Sequence, residues 1–64
     1  MNKEEIIKRL DSMIEALPEA FSDTAVILIR EDADFTKIEY KGFEVYRTNL
    51  IEEGKLYLGV NPFN

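Results

Sequence analysis

The sequence predicts a small α+β domain: one N-terminal amphipathic helix packed on one face of a four-stranded antiparallel β-meander, in the order αββββ. Three observations predict it. Apolar residues recur at helical spacing from Ile6 to Leu17. The stretch from Phe35 to Thr48 alternates about Lys41-Gly42 as a β-hairpin does. Two further apolar runs, at 24–30 and 55–60, have the length of strands. With 64 residues there is room for one domain, taken as 1–64.

The helix is expected over about 3–17. Asn2 is a natural N-cap, and Glu5 three residues later completes a capping-box pattern. Ile6, Ile7, Leu10, Met13, Ile14 and Leu17 form one stripe, with Glu4–Lys8 and Glu5–Arg9 as favourable i,i+4 pairs. Pro18 disfavours helical geometry at Leu17 and ends the helix there. A connector over 19–23 follows, with Phe21 expected to tuck under the sheet edge.

The run 24–30, TAVILIR, is β-branched and apolar on both sides, hence a strand with both faces at least partly covered. Strands at 35–40 and 43–48 make the hairpin, in which Gly42 supplies a positive φ. A two-residue loop sets Tyr40 opposite Phe43 and Ile38 opposite Val45, so four apolar side chains share one face. Glu39 then faces Glu44 on the other. In the last strand, 55–60, Leu56, Leu58 and Val60 point one way, and Lys55, Tyr57 and Gly59 the other. Pro62 cannot donate to a ladder and closes the sheet. Leu50 and Ile51, apolar within the loop 49–54, are free to cap the core or meet a partner.

Chaining these registers as a meander gives the rows Ile27–Ile38–Val45–Leu58 and Ala25–Tyr40–Phe43–Val60 beneath the helix. The outer face carries Leu28–Lys37–Tyr46–Tyr57 and Val26–Glu39–Glu44–Gly59. Val26, Leu28, Lys37, Tyr46 and Tyr57 are therefore the candidate partner-binding residues, with the Lys37 stem covering part of the patch. A competing topology moves 24–30 inward, for example by pairing it with 55–60. That arrangement covers both its faces without any partner.

The chain has neither cysteine nor histidine and a net charge of −5. Those absences remove disulfides, thiolate and imidazole nucleophile–base pairs, and the commonest zinc ligands. The negative charge argues against direct binding to nucleic acid, which relies on Lys and Arg. No glycine-rich phosphate loop is present, and Glu31-Asp32-Ala33-Asp34 lacks the ligand progression of a calcium loop. No enzyme activity, cofactor or metal is expected. No run is long enough to cross a membrane and no signal-like segment opens the chain, so a cytoplasmic location with no membrane partner is expected. Size and acidity are those common among small bacterial and phage proteins. The tail Asn61-Pro62-Phe63 resembles the ligand motif of EH domains over three residues, and no role is drawn from it.

The leading functional reading is a non-enzymatic protein-interaction module, a homodimer or a binder of another protein, using the outer sheet face. A second is an acidic inhibitor that mimics nucleic acid, as mobile elements use, through Asp11, Glu15 and Glu19 on the helix flank and Glu31, Asp32 and Asp34 in the turn. A third is a small subunit of a larger complex.

Overall fold

The computed structural model describes residues 1–60, so the expectations for Pro62 and the Asn61-Pro62-Phe63 tail fall outside the described residues. Helix α1 spans Lys3–Ala16, followed by a short 3₁₀ turn at Glu19–Phe21. Four strands follow: β1 (Ala25–Arg30), β2 (Glu39–Tyr40), β3 (Phe43–Thr48) and β4 (Tyr57–Val60).

The helix ends are as the sequence reads. The Asn2 side chain accepts a hydrogen bond from the Glu5 backbone N–H at 2.9 Å. Leu17, held by the proline after it, is already extended at φ −69°, ψ 127°. Phe21 differs, since it is half exposed rather than tucked beneath the sheet. Arg9 does not close its expected i,i+4 pair with Glu5; it donates to the Gly54 carbonyl at 3.1 Å and fastens the loop before β4 to the helix.

The sheet is not an antiparallel meander. Its strand order is β2-β3-β1-β4, with β1 parallel to β3 and antiparallel to β4, so the sheet is mixed. The competing topology is thus the one found: the all-apolar strand lies inside, paired on both edges. A strand buried on both faces belongs at the centre, and β1 holds buried residues of both parities, Val26 as well as Ala25, Ile27 and Ile29.

This order dictates what happens between β1 and β2. A parallel pair needs a crossover of roughly a dozen residues. Here residues 31–42 supply it, passing β3 to reach the far edge before turning back. Two strand spacings are about 9.6 Å, and chain that crosses them cannot also pair along a strand. Strand β2 consequently shrinks to two residues, not the six expected over 35–40. The crossing rotates the side chains as well. Phe35 leaves the loop to fill the core at 1% exposure, while Ile38, expected beneath the helix, is 85% exposed.

The hairpin matches its expectation next to the turn, though not at Ile38, which does not join the apolar face expected for it opposite Val45. Glu39 pairs with Glu44 and Tyr40 with Phe43. Both turn residues take positive φ, Lys41 at 51° and Gly42 at 88°, as a type I′ turn requires. Lys41 is an uncommon residue there, because a side chain in the left-handed region crowds its own backbone. Its compensation is tertiary. The Lys41 ammonium pairs with Asp11 on α1 at 2.9 Å and lies over the Tyr40 ring at 5.6 Å from its centre.

The core sits between α1 and one sheet face. Ile6 and Leu10 from the helix meet Ala25, Ile27, Ile29 and Phe43 from the sheet, with Phe35 closing one end. Phe35 meets Tyr40 edge-to-face, with ring centres 5.8 Å apart at 77°. Such a geometry places a ring edge against a ring face, the favoured arrangement for aromatic pairs.

Candidate functional site

The face of the sheet turned away from α1 is the candidate site, and alternation decides its membership. Residues of β1 at 25, 27 and 29 face the helix, so Val26 and Leu28 point outward. Leu28 stands directly beside Tyr46 of β3 on one side and Tyr57 of β4 on the other. One row, Tyr46–Leu28–Tyr57, therefore runs across three adjacent strands. Side chains paired this way sit about 5 Å apart at their Cβ atoms, close enough to form one surface. Val26 lies next to Gly59 in the adjoining row.

The sequence-derived patch survives in part. Tyr46, Leu28 and Tyr57 come together despite the altered strand order, and Tyr57 is 46% exposed. Val26 is on the expected face but only 6% exposed, so it supports the row more than it presents surface. Lys37 falls outside the patch. It lies in the loop before β2, beyond the far side of β3, and Leu28 meets Tyr46 without it. The Tyr46 hydroxyl donates to the Glu44 carboxylate at 2.7 Å, which anchors the ring along β3.

The acidic residues do not converge. Asp32 and Ala33 line a small cavity with Met1 and Ile6 at the start of α1. Glu15 and Glu19 lie at or beyond its other end. A 14-residue helix is about 21 Å long, so the turn and the stripe belong to opposite ends of the domain. Two of these carboxylates also have internal partners. Asp32 pairs with Arg30 at 3.1 Å, and the guanidinium holds its carboxyl below the usual carboxylate range.

Asp11 has the richer environment. Besides Lys41 it receives the Tyr40 hydroxyl at 2.7 Å. The bond from Lys41, then that from Tyr40, holds the Asp11 carboxyl below its usual range. The same bonds raise the Lys41 ammonium and the Tyr40 phenol above theirs, chiefly because each is bonded to the Asp11 carboxylate. Asp11 is thus a latch between helix and hairpin.

The arginines carry structural roles that the sequence reading did not assign. Arg47 donates to the carbonyls of Phe35, Glu31 at 2.9 Å and Ala33 at 2.8 Å, gathering the crossover loop around one guanidinium. Arg30 reaches the Ile51 carbonyl at 2.8 Å and so ties down the loop after β3. Five donors in a fixed fork suit this bracing of irregular backbone. The signal was present in the sequence only as an arginine at an inward-facing strand position, 47.

Among the described residues, no cluster of carboxylates is arranged to hold a metal ion, and no helix is long and apolar enough to cross a membrane. Glu39 and Glu44 are cross-strand partners, both exposed to solvent. Comparison with protein-family models, curated proteins and solved structures finds no match.

Proposed function

We propose that this chain is a non-enzymatic protein-interaction module that self-associates through the outer face of its sheet. The row Tyr46–Leu28–Tyr57 carries the reading: an apolar residue flanked by two tyrosines, on the face opposite the helix. Tyrosine supplies large contact area at low entropic cost and is enriched at interfaces. A 64-residue chain without cysteine also has no disulfide to supplement a thin core, and association supplies the missing burial.

The size of the domain sets the strength of that contact. Its Cα frame measures 30 × 25 × 18 Å, so its broadest face spans at most about 750 Å², short of the ~800 Å² per partner of standard interfaces. A single face-to-face contact is therefore weak and responds to concentration. The test is Tyr46→Lys, which puts a charge in the row at a partly buried position outside the core cluster. The variant should keep the wild-type circular dichroism and lose mass by light scattering at high concentration. A folded variant of unchanged mass would sink the reading.

A further inference from the structure

Charge on the outer face is segregated to its two ends. At one end stands Glu44 of β3, with Glu39 as its cross-strand neighbour and Asp23 sharing a groove with it. At the other end is Lys55, two residues before Tyr57. Alternation carried back from β4 turns Lys55 outward, and Leu56 between them packs against the core. Arg30, the second cation there, is held by Asp32 and the Ile51 carbonyl. Asp32 and Glu53 line the same small cavity as Lys55 without closing an ion pair with it. Glu44 and Lys55 are both exposed, and among the described residues neither forms an ion pair.

The registers place these two charges symmetrically about Leu28. Tyr46 and Tyr57 stand on either side of it, on β3 and β4. Glu44 lies two residues before Tyr46 and Lys55 two residues before Tyr57. Because β3 runs parallel to β1 and β4 antiparallel, those two steps go in opposite directions. Leu28 is therefore the midpoint of a diagonal from Glu44 to Lys55 that covers two strand spacings and four residues, roughly 16 Å. A twofold axis between two stacked faces, passing over Leu28 at right angles to this diagonal, exchanges its ends. Glu44 of each copy then meets Lys55 of the other, and Leu28 meets Leu28. An axis along the strands would instead lay acidic end over acidic end, between copies that each carry −5.

We propose that a second copy docks on the outer face about this diagonal twofold axis, with a Glu44–Lys55 pair at each end of the Leu28 contact. The proposal rests on the self-association reading and adds the orientation that the two copies take. The tyrosine row supplies contact area, which is indifferent to orientation, and the charges select one orientation from several. The Tyr46 hydroxyl, bonded to the Glu44 carboxylate at 2.7 Å, joins the two features, since it holds the acid beside the row.

Charge reversal tests the orientation, by light scattering across a dilution series at low salt on variants with wild-type circular dichroism. Glu44→Lys sets like charges against each other at both ends and should weaken self-association about tenfold or more. General repulsion predicts the opposite, because losing one negative charge and gaining one positive takes the net charge from −5 to −3. Lys55→Glu should weaken association likewise. An equimolar mixture of the two variants should recover the wild-type mass as a heterodimer, since every facing pair is again of opposite sign. High salt should bring each single variant back towards wild type. Unchanged or stronger association of Glu44→Lys, or no recovery on mixing, would overturn the orientation and leave the face reading to the Tyr46→Lys result. A wild-type chain that stays a protomer at every concentration would overturn both.

Discussion

Exchanging the burial of Phe35 and Ile38 is the sharpest consequence of the strand order, and it can be measured. Phe35 is 1% exposed and edge-on to Tyr40, whereas Ile38 is 85% exposed. Truncating a buried phenylalanine to alanine costs about 3–5 kcal/mol. A domain of this length has on the order of 3–10 kcal/mol in total, so Phe35→Ala would leave little folded protein to study. Phe35→Leu is the better probe. It removes part of the buried ring and the aromatic contact, for about 2 kcal/mol. Ile38→Ala should stay within about 0.5 kcal/mol of wild type, as exposed positions do. Urea unfolding followed by far-UV circular dichroism reads both, with the slope against denaturant unchanged if the fold is unchanged. The reasoning is refuted if Ile38→Ala costs about 2 kcal/mol and Phe35→Leu almost nothing, the pattern that a continuous strand over 35–40 under the helix would give.

Three further predictions concern the polar ties. Because Asp11 titrates below its ordinary range in the folded state, the unfolded chain binds more protons as pH falls. The stability it contributes is present above the ordinary carboxylate value near 3.9 and lost as pH drops through the lower folded value. Asp11→Asn should therefore flatten the acid limb of a melting-temperature profile; an unchanged limb would show that the latch contributes nothing. Tyr40 runs in the opposite sense, since its phenol is raised. Its contribution is present below about 10 and lost as pH rises through the folded value, so Tyr40→Phe should flatten the alkaline limb. Arg47→Lys replaces a fork that braces three carbonyls with a single ammonium. It should cost about 1–2 kcal/mol and accelerate amide exchange in residues 31–35 ahead of the β1 amides. Uniform acceleration through β1 would mean that the crossover loop does not open as a unit.

Face membership was legible in the sequence because it depends only on alternation within a strand. Tyr46, Leu28 and Tyr57 reach the same face in the meander and in the observed sheet, since either order joins residues of matching parity. Strand order was less legible, because neighbours are chosen by packing at long range. The clue to it lay in β1, whose apolar residues have no polar alternation and so fit a central strand better than an edge. Ile38 was misplaced because FTKIEY alternates well enough to read as a strand, and nothing local records that the chain must cross β3 there. The Asp11 role was hidden for a related reason. A carboxylate on a helix flank resembles a solvated one until the turn that supplies Lys41 and Tyr40 has a position. Lys41 itself held a clue, since a lysine in a left-handed turn position calls for a tertiary partner.

Self-association through the outer face is the central claim, and absolute mass against concentration tests it most directly. Light scattering on a sizing column, from dilute to concentrated and at low and high salt, should show mass rising above the 7.4 kDa protomer. Apolar burial predicts that the rise persists at high salt, where the mutual repulsion of acidic copies is screened. A protomer mass at every concentration and both salt conditions would contradict the account.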